Sequence, residues 1–177
     1  MLITSIDVGY NNVGLVVAEC TDDEIDVKLF KKIDLTIMKH NTVDVCNCKI
    51  PHTNELSDLV AHFVQEYSDF FNMSDKILIE RQPPGGLTNV QTLLHYIFRD
   101  KVELISPTSM HKHFEIGHLD YENRKLRTVE ISSKYIDFKG LIRKHDVADA
   151  MCMIIFYDDI NKKNNITNPF QKFLFKG

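Results

Sequence analysis

The chain is predicted to be an α/β protein with a five-stranded mixed sheet flanked by helices. Three observations carry that expectation. Two short apolar runs open the sequence a turn apart, Leu2 to Asp7 and Val13 to Glu19. A helical pattern from Asn54 to Phe71 leads into a further apolar run, Lys76 to Glu80. Beyond it, helical and strand-like segments alternate to the end of the last apolar helix. Strands beside helices of this kind pack as layers around one sheet.

The first two strands, near residues 2 to 7 and 13 to 19, flank Tyr10-Asn11-Asn12 and read as an antiparallel hairpin, with Gly9 allowing a tight backbone at the turn. A third strand is placed near 25 to 34. The helix at 54 to 71 carries Leu56, Leu59, Val60, Phe63, Tyr67 and Phe70 at helical spacing. Strand, helix and strand form a crossover unit, so the strand at 76 to 80 should run parallel to the first. A helix near 87 to 98, a strand near 101 to 106, and helices near 123 to 136 and 145 to 160 complete the set.

Four carboxylates fall at the ends of these elements. Asp7 closes the first strand, Glu80 closes the one after the crossover, and Asp146 with Asp149 occupies the first turn of the last helix. If the two strands are neighbours, Asp7 and Glu80 meet at one sheet edge, the crevice where open α/β sheets place ligands. Residues three apart on a helix share a face, so Asp146 and Asp149 project together. Each acid has an ordinary structural explanation: an Asx-turn for Asp7, a strand terminus for Glu80, helix capping for Asp146 or Asp149. Together they form a set of hard oxygen ligands suited to Mg²⁺ or Mn²⁺ and to phosphoryl displacement between two such ions.

Ile6-Asp7-Val8-Gly9, Ile79-Glu80-Arg81-Gln82 and Asp146-Val147-Ala148-Asp149-Ala150 resemble, in that order, the RuvC-type Holliday-junction resolvases of the RNase H superfamily. In length and C-terminal wording the chain is most similar to the poxvirus members. The resemblance implies an RNase H-like fold and a dimeric endonuclease that cuts opposed strands of a four-way DNA junction. It further implies two Mg²⁺ per site, replaceable by Mn²⁺, held by Asp7, Glu80, Asp146 and Asp149, and products with 5′-phosphate and 3′-hydroxyl ends. Ser106 to Lys112 is similar to the family's Pro-Ser-x-x-Lys stretch, with Lys112 one position late, and Glu122 to Val129 resembles a helix start bearing a lysine, here Lys125. Both lysines are therefore candidate catalytic residues, since an ammonium beside a pentacovalent phosphate stabilises developing charge. Arg81, Arg124 and Arg127 are assigned to the DNA backbone. His145, next to Asp146, is a candidate contributor.

The 177 residues, 44% of them hydrophobic, fit one domain spanning 1–177 with a packed core. No apolar run approaches the roughly 18 residues that would cross a bilayer, and the N-terminus has no signal layout, so a soluble intracellular protein is expected. The poxvirus resemblance would place it in the host cytoplasm. The net charge of -4 argues at first against nucleic acid. It divides unevenly: residues 1 to 75 hold 5 Lys or Arg against 13 Asp or Glu, and residues 76 to 177 hold 16 against 12. The second half is thus +4 even with ligand acids counted, as a DNA-facing surface requires. Asp22-Asp23-Glu24 is expected on the outward side of the hairpin edge, blunting further pairing.

Cys20 and Cys152 fall in apolar runs and are expected to be buried thiols. Cys46 and Cys48 lie between His40 and His52, but at no standard zinc spacing. The stripe of Leu87, Val90, Leu94 and Ile97 is one the resemblance assigns to the dimer interface, although it could equally face the sheet. The tail from Asn161 to Lys176 interleaves aromatic and basic residues that could stack on DNA or pack on the protein. An actin-like or sugar-kinase ATPase would share the sheet and an opening Asp-x-Gly hairpin, but needs a second phosphate loop and an adenosine segment; no nucleotide cofactor is expected. An inert junction-binding module would have lost an acid, and all four are present.

Overall fold

The computed structural model describes residues 1–9, 12–35, 53, 55–86 and 88–167. All five expected strands form: β1 (Leu2–Val8), β2 (Asn12–Cys20), β3 (Ile25–Asp34), β4 (Lys76–Glu80) and β5 (Val102–Ile105). They make one sheet in the order β3-β2-β1-β4-β5. The β1, β2 and β3 ladders are antiparallel, with an irregularity at Val17/Ala18, while β1 with β4 and β4 with β5 are parallel. The hairpin is tight: Gly9 N–H donates to the Asn12 carbonyl at 2.9 Å, and a Cβ on Gly9 would stand 2.6 Å from that oxygen. Thr21 to Glu24 closes the β2–β3 connection, so the exposed Asp22, Asp23 and Glu24 sit at a hairpin tip beside the edge strand β3.

Strand alternation divides the side chains between two cores. On one face Ile6, Val8, Val13, Leu15, Ile77 and Ile79 pack under α1 (Leu56–Glu66), α2 (Ser68–Met73) and α3 (Thr88–Ile97). On the other, Ile3, Val16, Ala18, Leu78 and Ile105 meet α6 (Lys144–Thr167), with α4 (Pro107–His113) and α5 (Tyr121–Ser132) beside it. From Val147 to Ile155, α6 is buried on all sides, because the sheet lies on one flank and α4 and α5 on the others. Among the described residues no helix is long and apolar enough to cross a membrane.

Several elements differ from expectation. The helix predicted over 54 to 71 is two helices that break at Tyr67, where φ is -105° and ψ 20°. The break lets Phe63, Tyr67 and Phe71 cluster, with ring centroids 5.6 and 5.5 Å apart. Residues 107 to 113, expected only as a motif, form α4, started by Ser106 as N-cap and Pro107 at the first position. Helix α5 begins two residues earlier than predicted, at Tyr121 behind an Asp120 cap, and ends at Ser132; α6 extends to Thr167. On α3, Val90 and Leu94 are buried against the sheet, while Ile97 and Tyr96 are 43% and 71% exposed. Val90 and Leu94 of the stripe therefore serve this chain's own core, since periodicity reports a face and not what covers it. Cys20 and Cys152 are buried free thiols, as expected. Leu87, the His40, Cys46, Cys48 and His52 group and the tail beyond Thr167 lie outside the described residues.

Candidate active site

Ile6 pairs with Ile79, so the next residues along the parallel strands, Asp7 and Glu80, come side by side at the carboxyl edge of the sheet. Alternation turns both toward α6, the face of Ile3 and Leu78. Gly14, opposite Asp7 on β2, brings the third element close. A Cβ at Gly14 would lie 2.0 Å from the Asp146 carbonyl oxygen, so only a bare backbone admits the first turn of α6 here. Asp7, Asp146 and Asp149 are consequently all buried, at 8%, 7% and 7% exposure.

These acids do not share one environment. Burial, followed by the charges of Glu80 and Asp149, pushes the Asp7 carboxyl well above the usual range, and it donates a hydrogen bond to Glu80. Burial raises Glu80 too, although that hydrogen bond and the Gln82 side chain favour its ionised form. Gln82 Nε2 donates to Glu80 Oε2 at 2.8 Å and reaches the Val8 carbonyl, while its own backbone N–H donates to Gln91 Oε1 of α3 at 2.7 Å.

Two cations complete the cluster. Lys125, from α5, hydrogen-bonds Asp149 Oδ2 and lies 5.6 Å from the Tyr121 ring centroid. Burial opposes its charge, but the Asp149 carboxylate outweighs that and holds the ammonium above the ordinary lysine range. Arg143 Nε donates to Asp146 Oδ2 at 3.0 Å, and His145 Nε2 stands 3.1 Å from Asp146 Oδ1. Arg143 adopts φ 56°, a left-handed conformation uncommon for a residue with a side chain and set where the chain turns into α6.

The remaining predicted residues lie around this centre. Lys112 lines a groove of about 760 Å³ with His111, Glu115, His118 and Arg124. His111 responds to both Asp149 and Lys125: burial and then Arg124 lower its pKa, with Asp149 opposing. Arg124 Nη1 is tied to the Leu119 carbonyl at 2.5 Å, and Arg127 forms an exposed pair with Glu130. Arg81 is exposed just beyond Glu80. Sequence reasoning does not single out Gly14, Gln82, His111 or Arg143. A glycine inside an apolar strand signals close backbone approach and could have revealed Gly14; the other three carry no local signal.

No three His, Cys, Asp or Glu side chains among the described residues already converge as a metal cage. The donor set nevertheless fits a hard divalent cation. Asp7 and Glu80 offer only oxygen donors, and burial with neighbouring negative charge raises both carboxyls, a repulsion that a bound cation would relieve.

Residues 1–162 match the family model described as Poxvirus A22 protein. The fold is similar to the fowlpox virus Holliday junction resolvase, at 17% identity and TM-score 0.63, over 90% of this chain and 99% of that one. The yeast mitochondrial Holliday junction resolvase Ydc2 aligns at 19% identity and TM-score 0.63, over 97% and 86%. Thermus thermophilus RuvC bound to a Holliday junction substrate aligns at 14% identity and TM-score 0.60, over 93% and 96%. The chain thus has the RNase H-like fold of the RuvC-like resolvases. No curated protein sequence matches it.

Proposed function

Because the chain belongs to the Poxvirus A22 protein family, we propose that it is a Holliday-junction resolvase, a metal-dependent endonuclease acting as one domain over residues 1–177. The observation that carries this reading is the pairing of Asp7 with Glu80 at the carboxyl edge of β1 and β4, within electrostatic reach of Asp149 and its partner Lys125. The ATPase alternative is not favoured, as the resolvase folds span nearly the whole chain.

Asp7, Glu80, Asp146 and Asp149 are the residues that would hold Mg²⁺, or Mn²⁺ in its place. When bound, such ions supply Lewis acidity and a water acidic enough to attack a phosphodiester near neutral pH. Gln82 fixes the Glu80 carboxylate and ties it to α3. Lys125, at the rim of the cluster, is placed to stabilise charge growing on the phosphate oxygens. Arg81, Arg124 and Arg127 contact the backbone, and Lys112 does so from the groove beside His111. In the poxvirus setting the protein would work in the host cytoplasm.

The decisive experiment incubates purified protein with an end-labelled four-way junction, with and without Mg²⁺. Paired symmetric nicks that need the metal and leave 5′-phosphate ends are expected; equal cutting of linear duplex would leave a nuclease but not a resolvase. The two-fold symmetry of a junction suits an isologous homodimer with one site per protomer. A mixed dimer with one Asp7→Asn protomer should therefore nick a single strand per junction.

A second test separates the two kinds of cation. Lys125→Ala is expected to lower the saturated cleavage rate about 100-fold or more while changing junction affinity little. Arg127→Ala should mainly weaken affinity, because its exposed pair with Glu130 contributes little and is readily exchanged for a phosphate. If both variants alter affinity alone, Lys125 has no catalytic role.

A further inference from the structure

A second groove lies between the end of α5, the loop that follows it and the first residue of α6. It encloses about 630 Å³ and is lined by Lys134, Lys139 and Lys144, with Tyr135, Phe138 and Asp137 among its walls. Most lysines with a nearby acid are paired: Lys28, Lys32, Lys125 and Lys162 all reach carboxylates. Among the described residues, Lys134, Lys139 and Lys144 have no such partner and all three are exposed. Asp137, the acid in the groove, gives Oδ1 to the Lys139 backbone N–H at 3.0 Å.

The loop that carries two of these lysines is held firmly. Phe138 and Leu141 pack on the core, and Leu141 N–H donates to the Phe138 carbonyl at 3.1 Å. Gly140, at φ 77°, and Arg143, at φ 56°, turn the chain so that Lys139 and Lys144 line one groove. Arg143 then joins this loop to Asp146 of the candidate active site. Three ammonium groups without an ion-pair partner, on a segment that Arg143 ties to Asp146 of the candidate active site, match a polyanion that runs past that site.

We propose that this groove takes the phosphate backbone of the DNA arm flanking the cleaved bond, with Lys134, Lys139 and Lys144 as its phosphate contacts. The inference rests on the nuclease reading for its choice of DNA, and its test does not require cleavage. Full-length protein carrying Lys134→Gln, Lys139→Gln and Lys144→Gln is titrated against a fluorescent four-way junction in EDTA over a series of salt concentrations. The substitutions are at exposed positions, so the melting temperature should hold. Affinity should fall about tenfold or more at 0.1 M salt, and the slope of log K against log salt should shrink by about two to three, close to 0.9 for each phosphate no longer neutralised by a lysine.

Methylphosphonate linkages placed in the flanking strand supply the second measurement. They should weaken binding by the wild type and leave the triple variant nearly unaffected, the signature of groups that act on one another. An unchanged salt slope, or equal weakening of both proteins by methylphosphonate, overturns the groove assignment. Wild-type protein that binds junctions but never cuts them would instead sink the nuclease reading and leave the groove standing.

Discussion

Asp7→Asn is expected to lower junction cleavage by at least about a thousandfold, roughly 4 kcal/mol in the barrier, without loss of fold. Asn has nearly the same shape, so it opens no cavity at a site only 8% exposed. It also keeps the means to donate a hydrogen bond to Glu80, the neighbour whose charge helps to raise the Asp7 carboxyl. What it lacks is an anionic oxygen, the property a divalent cation needs. Glu80→Gln, Asp146→Asn and Asp149→Asn should follow the same pattern, and normal turnover by any of them would remove that residue from the metal set.

The same substitution has a signature in stability. The folded Asp7 carboxyl is raised above its unfolded value, so its contribution is fully present below the ordinary carboxyl range near pH 4 and is lost as pH rises through the raised value. In EDTA the wild type should therefore lose stability over that window. The Asp7→Asn protein should lose less and melt at the same or a higher temperature near neutral pH. Thermal melts across pH, with both proteins free of metal, measure this directly; a parallel fall in both would show that Asp7 is not the group that titrates.

Gly14→Ala is expected to damage both the fold and the chemistry. The added carbon would meet backbone on every near side: the Asp146 oxygen at 2.0 Å, the Asp146 carbonyl carbon at 2.4 Å and the Val147 nitrogen at 3.0 Å. No side chain can swing away, so the start of α6 must shift from β2. Overpacking of this kind costs about 1–3 kcal/mol or more, equivalent to several degrees in melting temperature for a chain of this size. Asp146 and Asp149 would move with the helix. A displacement near 1 Å is enough for about a hundredfold loss of rate. A folded Gly14→Ala protein that cuts junctions normally would show that α6 does not depend on this approach.

Much of the architecture is legible because local patterns report it. The run Lys76 to Glu80 after a helical segment implies a parallel crossover strand, and the pairing of Ile6 with Ile79 realises it. The acid at the end of each strand then follows, because parallel neighbours finish at the same edge. Helix α4 does not stand out although Ser106 and Pro107 form a proper start signal, since seven residues are too few for periodicity to emerge. The stripe on α3 is legible as a stripe but not as a core-facing one. Val90 and Leu94 could have been buried by a partner or by the sheet, and spacing is identical in the two cases.

Pattern along the chain is enough to place the five strands and most of the helices, to set Asp7, Glu80, Asp146 and Asp149 at element ends, and to divide the charge unevenly between the two halves. Those properties follow from periods of 2 and 3.6 residues and from residue counts, which need no knowledge of neighbours. Packing across the fold was required to establish that Gly14 admits α6, that Lys125 pairs with Asp149 and Arg143 with Asp146, and that Gln82 holds Glu80. It was equally required to show that His111 and Lys112 line one groove with Arg124, and that three unpaired lysines share another. Apart from the local Gln82–Glu80 and Arg143–Asp146 contacts, these depend on residues from different elements reaching a common point. Burial and charge energies are set there by distances through the folded chain, which no spacing between positions encodes.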